Sequence, residues 1–446
     1  MELTNINIPD NAILVLNMLE DSGYGVFLCG GSIRDSLLGN DPKDWDITTS
    51  ASPEQMLEVF KDVHVVATGL KHSTISVVLP GYRPVEVTSY RTRGEYVDDR
   101  RPVSTEVPSA EEDIKRRDFT INALLFNPTT GGIDLVKGIK DLKSKIIRAV
   151  GDPDERFRED KLRMLRAVRF SAQLGFTIEK GTFQAICRNA GSITEVSAER
   201  IRDEFMKILL LDNPIFGLNL LEAVGLTRYI LPELHNCVNF SQHNAHHKYD
   251  VFGHLTHTAA NVPSDPVLRL AAIFHDIGKP NTFTLDAEGV GHFYGHDVAS
   301  TNMADVILKR LKVDNDTISK VSILIRHHMS RFPKVREVTV KRLMERVGIY
   351  NLDNLMALQR ADILASAPPY DFAQLDTLAK EVSRIIEVGE PFRVKDLAIT
   401  GDDLIALGVP EGPEIGVILK ATLDAVAENP ELNIRERLLA GVEMFL

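Results

Sequence analysis

The pattern of apolar residues changes once along the 446-residue chain, near residue 150, and this change limits the folds open to it. Before that point, short apolar runs alternate with turn residues. The runs predict a helix at 12–19 and strands at 25–29, 46–48, 75–79 and 85–88, and leave the type of the run at 122–126 open. From Asp152 onward, apolar residues recur at helical spacing. We therefore predict an α+β domain followed by helical domains.

Composition excludes several classes of protein. An apolar fraction of 44% and a charged fraction of 26% are typical of globular proteins and exclude a disordered chain, collagen and a coiled-coil rod. No apolar run approaches the roughly 18–20 residues of a membrane helix, and the acidic N-terminal segment is unlike a signal peptide. The cysteines Cys29, Cys187 and Cys237 are widely spaced, which indicates free thiols. We expect a cytoplasmic protein without a membrane partner.

Charge is distributed unevenly. The formal net charge of −12 argues against a chain that coats nucleic acid along its whole surface. Between Lys137 and Arg169, however, eleven Lys and Arg stand against six Asp and Glu, a local net charge of +5. A basic segment of this kind indicates a phosphate-rich partner, although a solvated surface explains it equally well.

Glycines and carboxylates in the first ninety residues form the first polar motif. Gly30 and Gly31 follow a predicted strand, where glycine lets backbone N–H groups approach a phosphate. Asp44 and Asp46 are two residues apart, so both carboxylates point to one side of a strand. Because adjacent carboxylates repel, the pair suits Mg²⁺ shared with a phosphate, and Glu86 is a candidate third ligand. Taken alone, the pair is better explained as turn residues after Pro42, and it is the neighbouring Gly30, Gly31 and Arg34 that favour a metal site.

Two further motifs suit a nucleotide. The adjacent Arg116 and Arg117 can hold phosphates, and Asn122 can bond a ribose hydroxyl. We expect Asp160 and Arg163 to be neighbours on one helix, where the carboxylate accepts hydrogen bonds and the guanidinium donates them. Cytosine and adenine present an amine donor beside a ring-nitrogen acceptor, whereas uracil and guanine present the reverse. The pair therefore predicts selection of C and A without a template, although a surface ion pair has the same sequence signature.

These motifs together resemble one family. Residues 30–39 with 42–46 resemble the nucleotidyltransferase signature of bacterial CCA-adding enzymes and poly(A) polymerases, and 116–123 resemble their second motif. Residues 159–163 resemble the nucleotide-reading motif of the same family. The resemblance extends over nearly the whole chain, with further similar segments at 152–157, 197–201, 401–404 and 408–413.

The resemblance implies an architecture and a reaction. The architecture is a polymerase β-like α+β head at 1–150, a helical neck at 151–225 that binds nucleotide and tRNA, a helical body at 226–385 and a helical tail at 386–446. The reaction is transfer of C, C and A from CTP and ATP to the 3′ end of tRNA, with two Mg²⁺ ions held by Asp44, Asp46 and Glu86. The residues implied to bind the nucleotide are Gly30, Gly31, Arg34, Arg116, Arg117, Asp118, Asn122, Asp160, Arg163, Arg166 and Arg169.

Two segments bear on the subfamily that the resemblance implies. Residues 67–74 lack the Gly-Arg-Arg-Phe-like element of poly(A) polymerases. Residues 91–102 resemble a flexible loop that CC-only relatives lack and that re-aims the nucleotide-reading pair between C and A. Both favour full CCA addition over an A-adding or poly(A) polymerase. A tRNA-binding protein with vestigial sites is the third alternative, and monomer and homodimer are both open.

Histidine is concentrated in one part of the chain. Eleven of the thirteen histidines lie between His235 and His328. The dipeptide His275-Asp276 follows the apolar run 268–274, and a glycine and a proline then end the predicted helix. Imidazole beside carboxylate suits Mn²⁺, Fe²⁺, Ni²⁺, Co²⁺ or Zn²⁺.

This arrangement resembles the HD phosphohydrolase superfamily, whose pattern is a histidine, a His-Asp pair and a distant aspartate. The resemblance implies attack of a metal-bound hydroxide on a phosphoester, here a 2′,3′-cyclic or 2′-phosphate at a damaged tRNA end. An inactive helical platform is the alternative. His257 competes with His254, and His327 with His328. The implied metal ligands are His254, His275, Asp276 and Asp362, with His296 and His328 as candidates for a second metal.

Overall fold

The computed structural model describes residues 3, 6–67, 69–70, 73–90, 96–97, 101–102, 109–244, 246–332 and 334–444. The chain divides into two compact units. The first comprises Met1–Ile208 and Asn219–Ile230, and the second comprises Leu209–Leu218 and Leu231–Leu446. The domain boundaries drawn from the sequence remain predictions.

The first 150 residues alternate helices and strands, as the sequence predicts. A short 3₁₀ helix at Thr120–Asn122 accounts for the first part of the run whose type the sequence left open, and a strand accounts for its end. The elements are α1 (Asp10–Asp21), β1 (Val26–Cys29), α2 (Gly31–Leu37), β2 (Asp46–Thr49), α3 (Pro53–Val59), β3 (His64–Val66), β4 (Thr74–Val78), β5 (Val85–Ser89), β6 (Tyr96–Val97), β7 (Arg101–Pro102), α4 (Ala110–Lys115), β8 (Leu125–Asn127), β9 (Gly131–Ile133), α5 (Gly138–Lys143) and β10 (Ile146–Ile147).

Seven of these strands form one mixed sheet in the order β3-β4-β5-β2-β1-β8-β9. Strands β2 and β5 are parallel, and the other neighbouring pairs are antiparallel. Along β5 buried and more exposed side chains alternate, which is the pattern of a sheet that buries one face. Leu28, Ile47 and Val87 are fully buried in the core beneath it, beside Trp45, the single tryptophan of the chain.

Helices dominate from residue 151 onward. Within the described residues, no helix is both long and apolar enough to cross a membrane. The elements up to residue 230 are α6 (Pro153–Glu159), α7 (Arg163–Leu174), β11 (Thr177–Ile178), α8 (Lys180–Asn189), a 3₁₀ helix (Ala190–Glu195), α9 (Ala198–Leu209), α10 (Ile215–Ala223) and α11 (Thr227–Ile230). This part confirms the predicted fold class, an α+β head followed by helical segments.

The second unit is almost entirely helical. Its C-terminal segment has an apolar core of its own that includes Leu404, Leu423 and Val426. The elements are α12 (Pro232–His235), α13 (Val251–Asn261), α14 (Pro266–Phe274), α15 (Lys279–Thr282), β12 (Thr284–Leu285), β13 (Gly291–His292), α16 (His296–Arg310), α17 (Asn315–His327), α18 (Glu337–Val347), α19 (Ile349–Ala365), α20 (Ala373–Val388), a 3₁₀ helix (Val394–Asp396), α21 (Gly401–Ala406), α22 (Pro413–Glu428), a 3₁₀ helix (Pro430–Leu432) and α23 (Arg435–Glu443).

Two local predictions are wrong. Asp44 lies in a bend before β2, so it does not share a strand with Asp46. Asp160 and Arg163 do not share a helix, because α6 ends at Glu159 and α7 begins at Arg163. Asp160 is extended, and its carboxylate accepts a hydrogen bond from the backbone N–H of Leu162, which competes with continuation of the helix.

Two segments that bear on the predicted subfamily lie partly outside the described residues. These are Thr68, Lys71 and His72 in the segment 67–74, and residues 91–95 and 98–100 in the loop 91–102. The backbone of Tyr96–Val97 pairs with that of Arg101–Pro102 in an antiparallel arrangement.

Candidate active site and metal centre

The parallel pairing of β2 and β5 brings two predicted carboxylates together. Asp46 and Glu86 stand directly opposite each other in the register of the two strands. Both line a pocket of about 500 Å³ in the first unit. Asp44 is exposed and does not line this pocket, although its charge acts on Asp46. The parallel pairing therefore brings Glu86 into the pocket lining, whereas Asp44 lies outside that lining.

The carboxylate of Asp46 is held in an unfavourable place for a negative charge. Burial, followed by the charges of Glu86 and Asp44, raises its pKa to about 6, and Arg117 opposes the rise only in part. A divalent cation would relieve the same repulsion. Carboxylate oxygens shared with phosphates are the usual protein ligands of Mg²⁺, so this donor set fits Mg²⁺.

Gly30 shapes the wall between the carboxylates and the arginines. Its φ is +75°, which is the left-handed region that favours glycine. A Cβ at this position would lie 3.5 Å from Oδ2 of Asp46 and 3.6 Å from a guanidinium nitrogen of Arg117. The absence of a side chain therefore keeps the space between these two groups open.

A buried aspartate that sequence reasoning missed holds the two adjacent arginines. Asp113, on α4, accepts bonds from Arg116 at 2.6 and 2.9 Å and from Arg117 at 2.8 and 3.1 Å. Although burial opposes ionisation, the two guanidinium groups lower the pKa of Asp113. Its spacing of three and four residues from the arginines, at the end of a helix, was the available signal.

The other predicted phosphate-binding residues form a continuous network. Arg34 donates to the side-chain oxygen of Asn122 at 2.7 Å, and Asn122 donates to Asp118 at 3.2 Å. Asp118 also accepts two bonds from Arg166, at 2.6 and 2.9 Å. Although burial opposes it, Arg166 lowers the pKa of Asp118, which therefore stays ionised. Asp118 thus orients Asn122 and Arg166, and both of its carboxylate oxygens accept hydrogen bonds.

An aromatic ring supports three arginines of the pocket. The guanidinium carbons of Arg34, Arg166 and Arg169 lie 5.0, 5.3 and 4.0 Å from the ring centre of Phe170. Arg169 also donates to Glu204 at 2.6 Å. The pocket lining includes Phe170 together with Arg34, Arg166 and Arg169. The ring therefore supports the positively charged part of that lining.

The two predicted base-reading residues line the pocket without contacting each other's side chains. Asp160 accepts a hydrogen bond from Arg200 at 2.9 Å. Arg163 donates to Glu159 at 2.8 Å and to the backbone carbonyl of Arg116, also at 2.8 Å. Because the two groups come from a connection and a helix start, they offer an acceptor and a donor at separate points of the same wall.

In the second unit, five helices bring six predicted metal ligands to one place. His254 lies on α13, His275 follows α14, His296 begins α16, His328 follows α17 and Asp362 lies on α19. The first donor group is His254, His275, Asp276 and Asp362, and the second is Asp276, His296 and His328. In each group, the possible ligand atoms lie within 4.8 Å of one another, and every residue is buried.

The hydrogen bonds of the four imidazoles establish which nitrogen faces the cluster. Each Nδ1 lies near a backbone carbonyl, at 2.7 to 2.8 Å for His275, His296 and His328 and at 3.4 Å for His254. We therefore assign the proton to Nδ1, which leaves Nε2 as a lone-pair donor. This second contact is the one that metal-bound histidines usually make.

The Nε2 atoms face one another and two carboxylates. Nε2 of His254 and Nε2 of His275 are 3.2 Å apart, as are those of His296 and His328. Although burial opposes it, Asp276 and Asp362 raise the pKa of His275 to about 10. Oδ1 of Asp276 is buried without a hydrogen-bond partner among the described residues, although Nε2 of His296 and Nε2 of His328 lie 3.1 and 3.4 Å away. Such a cluster needs positive charge among its acceptors, from protons or from metal ions, and its imidazoles and carboxylates fit two metal ions.

The competing histidines lie outside the cluster. Nδ1 of His257 contacts the carbonyl of Gly253 at 2.8 Å, and its ring stacks on Tyr249. His327 belongs to neither donor group. Lys279 is a contact that sequence reasoning missed: its buried ammonium lies 2.6 Å from Oδ2 of Asp276 and donates to Gln242.

Three family models match successive parts of the chain. The poly(A) polymerase head domain matches residues 26–148, the probable RNA- and SrmB-binding site of polymerase A matches 175–238, and a putative second domain of tRNA nucleotidyltransferase matches 297–442. The chain is 35% identical over 413 residues to a CCA-adding enzyme of Levilactobacillus brevis, covering 91% of this chain and 90% of that protein.

Two further relatives are similar over their whole length. A CCA-adding enzyme of Limosilactobacillus reuteri is 34% identical over 431 residues, which are 96% of this chain and 95% of the relative. Among solved structures, the Bacillus stearothermophilus CCA-adding enzyme in complex with CTP has a TM-score of 0.72 and 28% identity. That comparison covers 97% of this chain and 96% of the other.

The raised pKa of Asp46 predicts a pH-dependent effect of Mg²⁺ on stability. Its folded pKa of about 6 exceeds the unfolded value of about 3.9. Charging Asp46 therefore destabilises the metal-free fold as the pH rises through about 6. We expect Mg²⁺ to raise the urea midpoint, followed by Trp45 fluorescence, more at pH 7.5 than at pH 5. The difference should disappear in Asp46→Asn and persist in the exposed-site variant Asp62→Asn. Equal stabilisation at both pH values would contradict this interpretation.

The contacts of Asp113 predict that it positions the arginine pair. In Asp113→Asn, both guanidinium groups lose their shared negative partner, so the affinity for inorganic triphosphate should fall at least about tenfold by calorimetry. Removing one partner of a buried ion pair also costs about 3–5 kcal/mol, so Trp45 fluorescence must establish that the variant is folded. Glu111→Gln, an exposed change on the same helix, should leave binding intact. A folded Asp113→Asn protein with unchanged affinity would disprove the positioning role.

Proposed function

Because the chain belongs to the family of bacterial CCA-adding tRNA nucleotidyltransferases, we propose that its first unit adds C, C and A to the 3′ end of tRNA. The nucleotides come from CTP and ATP, and no nucleic-acid template directs their choice. The observation that carries the proposal is one pocket in which paired carboxylates, arginines and two base-reading groups share the lining. We also propose that the protein repairs incomplete tRNA ends by the same reaction, in the cytoplasm.

The carboxylates and the arginines have separate roles in this proposal. Asp44, Asp46 and Glu86 hold Mg²⁺. When bound, Mg²⁺ would lower the pKa of the RNA 3′-hydroxyl and stabilise the departing pyrophosphate. Arg34, Arg116 and Arg117 bind the triphosphate oxygens and offset the charge that accumulates on them. Because Asp113 and Asn122 already hold these arginines, little reorganisation is needed when the nucleotide binds.

Base selection is the task of Asp160 and Arg163. The carboxylate of Asp160 accepts a hydrogen bond from the exocyclic amine of cytosine or adenine, and the guanidinium of Arg163 donates one to the adjacent ring nitrogen. When a base binds, it replaces Arg200 as the hydrogen-bond partner of Asp160. It likewise replaces Glu159 as the partner of Arg163. Arg200 thereby holds the carboxylate of Asp160 in place until a base arrives.

The first test is nucleotide addition to a tRNA transcript that ends at the discriminator base, resolved one nucleotide at a time. With Mg²⁺, we expect two additions from CTP and one more when ATP is present, and none from UTP or GTP. Asp46→Ala should reduce the rate at least about 10³-fold because the metal site loses a ligand. Asp160→Ala should lose discrimination against UTP, while Asp62→Ala should behave as the wild type.

Other outcomes of this assay identify the alternatives. A single A added only to tRNA that already ends in CC indicates an A-adding enzyme, and a long A ladder indicates a poly(A) polymerase. Failure to add any nucleotide, with tRNA binding intact, indicates a tRNA-binding protein with vestigial sites.

The histidine cluster supports a second activity. We propose that it is a two-metal phosphohydrolase site for 2′,3′-cyclic or 2′-phosphates at RNA ends. Imidazole and carboxylate donors suit Mn²⁺, Fe²⁺, Ni²⁺ or Co²⁺, which when bound activate water toward a phosphoester. Asp276 serves both positions through its two oxygens, and Lys279 holds one of them. The observation that favours activity over an inactive platform is the convergence of four imidazoles and two carboxylates, since a packing role alone gives no reason for it.

Removal of Asp276 should separate the two activities. We expect the full-length protein to contain close to two transition-metal ions by elemental analysis and to hydrolyse 2′,3′-cyclic AMP. Asp276→Ala should lose the metal and at least about 100-fold of the hydrolysis, because both positions lose a ligand, while CCA addition continues. Asp305→Ala, which removes an acidic side chain from the exposed side of α16, serves as the control. The second activity would be refuted if the wild-type protein were purified without metal and hydrolysed no 2′,3′-cyclic AMP with any added metal ion.

A further inference from the structure

Two buried nitrogen atoms beside the histidine cluster have no hydrogen-bond partner among the residues that the structure describes. They are Nε of Arg331 and Nδ1 of His247. Neither residue belongs to the two donor groups, and the proposed hydrolysis assigns no role to either. A buried polar group without a partner is unfavourable and rare in folded proteins, so each of these atoms calls for a ligand.

Both residues contact the first donor group. Arg331 forms an ion pair with Oδ2 of Asp362, whose other oxygen lies 3.1 Å from Nε2 of His254. The ring of His247 packs edge-on against that of His254, with ring centres 5.5 Å apart. Arg331, Asp362, His254 and His247 are therefore linked by successive contacts through the first donor group.

Exposure increases from the first donor group toward Arg331. The side chains of His254, His275 and Asp276 are at most 3% exposed, whereas that of Asp362 is 10% and that of Arg331 is 30% exposed. Arg331 therefore presents a partly exposed positive charge beside the buried ligands, which favours an anion.

We propose that Arg331 and His247 form the phosphoryl-binding site of the histidine cluster. Nε–H of Arg331 and Nδ1–H of His247 donate to two non-bridging oxygens of a terminal phosphate, while the donor groups hold the metal ions. The ligand class is a phosphate ester with a free or cyclic terminal phosphate. This inference rests on the proposed phosphohydrolase function and adds the residues that hold its substrate.

Binding of inorganic phosphate tests the inference without catalysis. The full-length chain carries Asp44→Ala and Asp46→Ala to remove the metal site of the first unit, and is loaded with Mn²⁺. Phosphate affinity is measured from the Mn²⁺-induced broadening of the ³¹P resonance. We expect His247→Ala and Arg331→Ala to weaken phosphate binding at least tenfold with unchanged Mn²⁺ content. The controls His257→Ala and Arg326→Ala, which remove the same side-chain types nearby, should bind phosphate as the parent does.

Hydrolysis kinetics give the second readout. In the otherwise native chain, His247→Ala and Arg331→Lys should raise the KM for 2′,3′-cyclic AMP by more than they lower kcat, because the two residues bind the phosphate and do not hold the metal. If Arg331→Ala loses Mn²⁺, Arg331→Lys replaces it in the binding measurement.

The outcomes separate the two proposals. Phosphate affinity that is unchanged in His247→Ala and in an Arg331 variant with full Mn²⁺ content overturns the inference, even if the wild type hydrolyses phosphate esters. Phosphate binding that depends on both residues, in a protein that hydrolyses nothing, supports the inference and refutes the phosphohydrolase function.

Discussion

Both sites of this protein depend on one electrostatic constraint: groups of the same character are held closer together than they would lie in water. In the first unit, strand pairing places Glu86 beside the buried Asp46, whose pKa rises to about 6. In the second unit, helix packing brings four imidazoles and two carboxylates together. The packed core of each unit maintains this crowding, which bound cations would relieve. The proposed metal affinity of both sites therefore follows from the same constraint.

The positive groups around the first site are held by buried acids. Asp113 holds Arg116 and Arg117, Asp118 holds Arg166, and Glu204 holds Arg169. Arginine loses much side-chain entropy when it is ordered, and these ion pairs impose that loss during folding. The arginines of the pocket are therefore ordered before a ligand binds, which suits the proposed binding of a triphosphate.

Much of this organisation was predictable because periodicity and short motifs are local properties. The helix at 12–19 and the strands that carry Asp46 and Glu86 were predicted close to their observed bounds. The error at Asp160 has a physical cause. Its carboxylate competes for the backbone N–H of Leu162, so the helix ends where periodicity alone would extend it. Asp113 was missed for a different reason, since its partners are evident only when the end of α4 is known.

The sequence by itself determined the order of the motifs, the fold class, the family and the six candidate ligands of the second site, because these depend on residue identity and spacing. Only the tertiary structure decided that His254 and His328 join the cluster while His257 and His327 do not. It also decided that Arg331 and His247 flank the cluster. His254 and Asp362 are brought together across more than one hundred residues by the packing of α13 on α19. Which side of a helix faces that contact depends on the whole core, and neither local propensity nor motif spacing encodes it.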